Sequence, residues 1–276
     1  MEIIEHFLYQ ILFTVGVIVA FGLLIALCRK AFCQIVGDKG TKILLITGVV
    51  GTPIHELGHA LMCIIFGHKV VEMKLYQPDS KDGTLGYVNH RYNEKNIFHQ
   101  IGNFFIGIAP ILCGSGVLLL LMYLLVPDVY TEVTAELQFI ALLSTDFFDL
   151  STYAGYLDLF WEVVLDVFDF TNSANILWWI FVVLALSISS HMELSIEDIK
   201  GGLRGFIYIA GILLVADIIL YLISFSVLES VTEAMTSFSL SIASFLAISA
   251  VFSGVMVLIA WAIKGGSSVL SKILKK

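Results

Sequence analysis

Residues 48–67 read GVVGTPIHELGHALMCIIFG, and the fold turns on how this stretch is read. Its flanks are those of a membrane-spanning helix, yet His55, Glu56 and His59 sit inside it. A charged side chain at the bilayer centre costs about 2.5–3.5 kcal/mol on insertion scales, so ionisable residues inside a span point to function.

The rest of the chain places this segment in a membrane. Hydrophobic residues make up 58% of the 276 and charged residues only 14%, far from the balance of a soluble domain. Several windows run long enough without charge to cross a hydrocarbon core. The expected fold class is an all-α polytopic membrane protein. It has about six transmembrane helices, near 7–28, 43–66, 97–126, 175–198, 204–226 and 238–263, and a small membrane-associated β-hairpin. The first apolar run lacks the basic flank and cleavage site of a secretory signal and reads as a retained helix. Cys28, Cys33, Cys63 and Cys113 form no CxxC pair and read as small packing residues outside any disulfide framework.

With no internal repeat or linker, residues 1–276 form a single integral-membrane domain with a catalytic core at about 43–205. The segment 69–92, KVVEMKLYQPDSKDGTLGYVNHRY, is rich in β-branched and aromatic residues around a turn-forming centre, which predicts the hairpin. Residues 128–169 carry nine Asp or Glu and no Lys or Arg. In the second half of this outer acidic segment (about 128–170), Asp158, Glu162, Asp166 and Asp169 fall on one helical stripe. Leu157, Phe160, Trp161, Val164, Leu165 and Phe168 lie away from it, as in an amphipathic helix on a membrane surface. Lys and Arg accumulate in cytoplasmic loops. Both termini, the 69–95 region and the 200–204 turn are therefore expected in the cytoplasm, with eleven positive charges there against Arg29, Lys30, Lys39 and Lys42 outside.

His55-Glu56-Leu57-Gly58-His59 is an H-E-x-x-H motif. On a helix the two histidines point the same way one turn apart and can grip one metal ion, here Zn2+. Glu56 flanks that face, within reach of a metal-activated water, as a general base. A third ligand is needed, and the best donors lie in SISSHMELSIEDIKGGLRG, residues 187–205. If that segment is helical, His191, Ser195 and Asp198 share one face, with His191 and Asp198 about 10 Å apart along the axis. Only one of the two then binds the ion.

PIHELGHALMCIIFG resembles the zinc helix of the site-2 proteases, the intramembrane metalloproteases. In that family H-E-x-G-H in one span is followed by a β-hairpin or small sheet dipping into the membrane. A later span then supplies an Asp, typically in an Asn-Pro-x-Asp-Gly-like stretch. The resemblance covers roughly 43–112 and 187–205. It implies His55 and His59 as zinc ligands, Glu56 as the catalytic carboxylate, Asp198 as third ligand, and the hairpin as a strand edge for substrate. Asp198 is followed by Ile-Lys-Gly-Gly and no Asn-Pro precedes it, so His191 stays the alternative third ligand. If Asp198 binds, His191 is free to stabilise an oxyanion or gate access. Asn103 would bond substrate backbone, as a comparable Asn does in that family, or else make an interhelical hydrogen bond. Asp217 should face the bundle interior, and Gly48, Gly51 and Pro53 should allow a bend or close packing before the ligands.

The activity this predicts is an intramembrane zinc endopeptidase. Its partners would be a membrane protein or peptide substrate with a transmembrane segment and the lipid bilayer, with no nucleic acid. A homo-oligomer or a regulatory membrane partner stays open. The competing readings are a non-proteolytic zinc sensor or assembly factor, and a zinc-dependent membrane hydrolase of another substrate.

Overall fold

The computed structural model describes residues 2–80, 83–142 and 150–273. Among these, five helices are long and apolar enough to cross a membrane: Glu2–Val36, Lys39–Ile65, Ile97–Leu125, Ile196–Ile223 and Phe225–Gly265. Ile176–Ser189 is apolar but shorter. The first span comprises α1 (Glu2–Ile11), a π-helical turn (Leu12–Gly16) and α2 (Val17–Val36). Then come α3 (Asp38–Ile65), β1 (Lys69–Lys74), β2 (Tyr87–Arg91) and α4 (Ile97–Leu125). The chain continues with α5 (Pro127–Leu142), α6 (Leu150–Val167), α7 (Ile176–Ser189), α8 (Ile196–Ile223) and α9 (Phe225–Ile273). The expectation of an almost wholly helical chain with one small hairpin agrees with this architecture.

Helix α4 is central: 56% of its most apolar window is buried, against 6% for α8. Its Ile108, Ile111, Leu118 and Met122 meet Phe181 and Ile188 of α7 and Leu246 and Phe252 of α9 in the main core. Ile199, Leu203 and Ile207 of α8 point outward, as suits a lipid-facing helix. Lipid tails are as apolar as leucine, so close packing and interhelical hydrogen bonds hold such a bundle. Ser115 and Ser249 hydroxyls lie 2.8 Å apart between α4 and α9, and Ser253 Oγ donates to the Ser189 carbonyl at 3.4 Å. Bonds of this kind average about 0.6 kcal/mol each.

Four segments differ from the sequence expectation. The anticipated 29–42 loop shrinks to a reversal at Gly37, whose φ of +64° lets α2 pass almost directly into α3. The 175–198 span is broken: α7 stops at Ser189 and α8 starts at Ile196. The Ser187 carbonyl, which a continuing helix would offer to the His191 amide, accepts instead from Ser190 Oγ at 2.9 Å and faces His191 Nδ1 at 3.0 Å. The His191 amide turns to the Ile188 carbonyl at 2.9 Å. Polar side chains have thus taken over the helix's own acceptors.

Residues 227–237, left between spans in the sequence reading, are helical and extend α9. There Leu228, Thr232 and Thr236 form a buried stripe while Glu229 and Glu233 face outward. The threonine hydroxyls bond carbonyls four residues back, at 2.9 and 2.8 Å, so the helix absorbs its own polar groups.

The acidic segment forms two helices. Pro127 opens α5, a position where its missing N–H has no helical partner to lose. Val129, Val133 and Leu137 bury one face of α5, and Val163 and Val167 bury one face of α6. Trp161 and Leu165 stay exposed on α6, as do Asp158 and Glu162, and Asp169 is exposed just beyond its end; Asp166 is half-buried. Burial and the neighbouring Glu162 and Asp169 raise the Asp166 carboxyl, while hydrogen bonds from Thr171 hold Asp169 below the usual range. Asp146, Asp149, Lys81, Asp82, Lys275 and Lys276, and the side chains of Leu157 and Phe160, lie outside the described residues.

Strands β1 and β2 pair antiparallel, Lys69 opposite Arg91 and Lys74 opposite Tyr87, with an irregularity between Val70 and Glu72. The connection folds back on α3, where Tyr76 Oη donates to the Leu45 carbonyl at 2.5 Å. Asp217 is fully buried and accepts from Gln10 Nε2 at 3.1 Å, a partner on α1 that sequence spacing could not name.

Candidate metal centre

The two motif histidines share one face of α3, and each has its ring fixed from behind. His55 Nδ1 lies 2.7 Å from the His191 carbonyl oxygen, and His59 Nδ1 lies 2.8 Å from the Ile106 carbonyl oxygen. A carbonyl only accepts, so both Nδ1 atoms carry hydrogen and donate. Each neutral ring then turns a bare Nε2 lone pair forward. Those two nitrogens stand 3.2 Å apart.

Asp198 comes to the same point from the first turn of α8. Its Oδ1 is 3.3 Å from His59 Nε2, and one ligand atom from each of His55, His59 and Asp198 lies within 4.8 Å of the others. Tetrahedral zinc with arms of about 2.0–2.1 Å separates its ligand atoms by about 3.3–3.4 Å, so the donor set fits that ion. Backbone carbonyls holding the rear nitrogens of both rings are the outer partners such ligands need.

Asp198 is aimed by a capping box. Its amide donates to Ser195 Oγ at 3.1 Å, and Ser195 N donates to Asp198 Oδ2 at 2.8 Å. One carboxylate oxygen is thereby held at the helix start, and the other faces His59.

His191 is brought near by its backbone. Its carbonyl holds His55, while its ring faces the Ser187 carbonyl through Nδ1 (3.0 Å) and the Leu44 carbonyl through Nε2 (3.1 Å). Gly51 makes this approach feasible: a Cβ there would lie 2.4 Å from the Ser187 oxygen and 2.7 Å from His191 Nδ1.

Glu56 is buried, at 5% exposure, beside Thr52, whose equally buried hydroxyl has no hydrogen-bond partner among the described residues. Both line a cavity of about 490 Å³ together with His55, His59, Asp198 and the chain from Gly83 to His90. Gly86 lies directly on Glu56, for a Cβ at Gly86 would sit 2.8 Å from Glu56 Cγ. Strand β2, with Tyr87, Val88, Asn89 and His90, forms one wall. Burial, with His68 and then His59 adding to it, holds the His90 imidazole down at about 4, so it is neutral at physiological pH.

Asn103 lies apart from this cavity lining; it is buried, and its Nδ2 donates to Gln100 Oε1 at 3.3 Å. Two lining residues were named from the sequence without this role. Arg29 forms an ion pair with Glu193 at the cavity margin. Its signal was its disagreement with the charge rule, which a paired arginine beside a polar cavity explains. Ser195 was named, but as one face of a continuing helix; Ser195-Ile-Glu-Asp198 ahead of an apolar run is the S-x-x-D signature of a helix start.

Residues 48–153 match the model of a family described as "Putative zincin peptidase". No curated protein and no solved structure among those compared matches the chain. The matched stretch contains His55, Glu56, His59 and the hairpin, and ends before Asp198. It supports a zinc metallopeptidase. Zinc is the cofactor, and among the described residues a His-His-Asp donor set suited to it lies on α3 and α8.

Proposed function

We propose that the chain is an intramembrane zinc endopeptidase of the site-2 protease kind, cleaving a peptide bond in or near a transmembrane segment of another membrane protein. The observation that carries this reading is the wall of the cavity: β2 runs past Glu56, His55 and His59 in one cavity. An extended peptide recognised through its main chain needs such a strand, whereas a lipid hydrolase has no use for one. Helical amides are internally bonded and shielded, so a substrate segment would unwind before its backbone pairs beside β2.

His55, His59 and Asp198 would hold the ion, with His191 O and Ile106 O keeping both imidazoles in the ligating tautomer. Bound there, zinc supplies Lewis-acid activation of water and of the scissile carbonyl. Glu56 takes the proton of the attacking water on its carboxylate and passes it to the leaving amine nitrogen. Its low exposure beside Gly86 limits its contact with bulk water. The bond of Asn103 to Gln100 stays within α4 and makes no link between helices, and the His191 ring positions the α7–α8 break. An active site facing the cytoplasm belongs to this reading, and the basic residues of the hairpin region, Lys69, Lys74, Arg91 and Lys95, support it.

The deciding experiment uses the purified full chain in lipid vesicles with a labelled transmembrane peptide, with an amide-linked lipid as competitor substrate. Glu56→Gln should retain zinc and lose peptide cleavage by about 10²–10⁴-fold, the usual weight of a general base. Unchanged cleavage removes Glu56 from the reaction, and turnover of the lipid alone favours the other hydrolase reading.

A further inference from the structure

A second group of ligand-type side chains converges where α3 ends against the hairpin. Cys63 lies one helical turn beyond His59, His68 follows the end of α3, and His90 is in β2. One ligand atom from each lies within 4.8 Å of the others. Cys63 is fully buried, His68 is 5% exposed and His90 is half-buried.

Local sequence creates the meeting. Gly67, at φ +70°, ends α3 in a Schellman turn: its N–H donates to the Ile64 carbonyl at 3.2 Å, and His68 N–H to the Cys63 carbonyl at 2.8 Å. That turn folds His68 back over Cys63, and the hairpin returns His90 to the same place.

The ring of His68 is prepared in the manner of a ligand. Its Nε2 lies 2.9 Å from the His99 carbonyl oxygen and must donate to it, which leaves Nδ1 bare. That Nδ1 faces His90 Nδ1 at 3.0 Å. Tyr92 stacks on the His68 ring, with centroids 4.6 Å apart and planes 15° from parallel. A buried thiol and two imidazoles with nitrogens this close form a soft-to-borderline donor set, and zinc suits it.

We infer that Cys63, His68 and His90 form a second zinc site, separate from the His55–His59–Asp198 centre, which fastens β2 to the helix that carries the motif. Binding there releases the Cys63 thiol proton to water, so a thiolate and two neutral imidazoles take three positions and a water molecule the fourth. The site joins the cavity's strand wall to the zinc helix. Losing its ion would loosen the hairpin whatever the substrate of the first centre is.

Sulfur distinguishes the two centres, because the first has none. The full chain in detergent is loaded with Co2+ and read by absorption and by metal content. Wild type should hold two ions per chain and show a thiolate-to-cobalt charge-transfer band. Cys63→Ser should lose that band and one ion. His55→Ala should keep the band and lose the other ion, and Cys28→Ser should change neither. A wild-type protein without the band, or a band that survives Cys63→Ser, overturns the inference. If Cys63→Ser does not fold, zinc K-edge absorption on the wild type decides. A sulfur neighbour at about 2.3 Å supports the site, and nitrogen and oxygen alone overturn it.

Discussion

Ser195 N donates to Asp198 Oδ2 at 2.8 Å, and Asp198 N returns a bond to Ser195 Oγ at 3.1 Å. This reciprocal pair starts α8 and also orients the oxygen that faces His59. Ser195→Ala should therefore act on both levels. Loss of the cap should weaken the helix by about 0.5–2 kcal/mol. The N–H that holds Asp198 Oδ2 belongs to the backbone and survives the substitution, so zinc affinity at the first centre should fall only through the loosened helix start, by less than the about 10–100-fold that loss of an outer-sphere partner costs. Asp198→Asn should lower it further. Competition with a chromogenic chelator measures both, and an unchanged affinity in Ser195→Ala would show that the box only caps the helix.

Gly86 offers a test of how closely the hairpin must sit on the general base. A methyl group at this position would come within 2.8 Å of both Glu56 Cγ and Thr52 Cγ2. Gly86→Ala should displace Glu56 or the hairpin by a fraction of an ångström to an ångström. A displacement of that order costs about 10²-fold in rate when it misplaces a reacting group. Zinc content should be unchanged. Full activity in this variant would mean that the hairpin approaches Glu56 only loosely during turnover.

The zinc helix and the hairpin were legible because both are local. H-E-x-x-H needs only the helical repeat, and the hairpin only a turn between two β-rich runs. The break at residues 190–195 was harder, since no Gly or Pro interrupts SISSHMELSIED and its apolar flanks favour one continuous span. Side chains end α7 there, and Ser195 and Asp198 look alike as a capping box or as a helical face until the backbone decides. Residues 227–237 carry Glu229 and Glu233, and the stripe of Leu228, Thr232 and Thr236 that buries the opposite face is partly polar, so hydropathy alone does not extend a span through them. The pairings Arg29–Glu193 and Gln10–Asp217 join residues more than 150 apart in the chain, and no pattern in a single sequence carries them.

Close packing at Gly51 should be separable from glycine's helix propensity. Gly51→Ala forces a methyl group against the Ser187 oxygen and the His191 ring, an overpacking that typically costs about 1–3 kcal/mol. Gly116 in α4 has nothing within 4 Å of its Cβ position, so Gly116→Ala should be neutral or stabilise by about 0.5–1 kcal/mol. Thermal unfolding in one detergent compares the two. Gly51→Ala should also weaken zinc binding, because the segment it displaces carries the carbonyl that holds His55. Equal melting temperatures would show that α7 and its following turn yield without strain.

The contact of Gln10 with Asp217 predicts opposite effects for its two partners. Gln10 Nε2 donates to Asp217 Oδ1 at 3.1 Å and to Thr232 Oγ1 at 2.9 Å, tying α1 to α8 and α9. Asp217 Oδ2 and Gln10 Oε1 are buried and have no hydrogen-bond partner among the described residues. Gln10→Leu removes the donor and strands a buried carboxyl group, while the Thr232 hydroxyl keeps its bond to the Leu228 carbonyl, so the chain should be destabilised by about 1–3 kcal/mol. Asp217→Asn keeps the acceptor oxygen, removes a site of buried charge and adds an N–H₂ donor where acceptors are in excess. It should therefore raise the melting temperature or leave it unchanged. Neither residue touches the cavity, so zinc content should stay at the wild-type level in both. A loss of stability in Asp217→Asn equal to that in Gln10→Leu would mean that the carboxylate itself, held by a cation within the bundle, is what this corner of the fold requires.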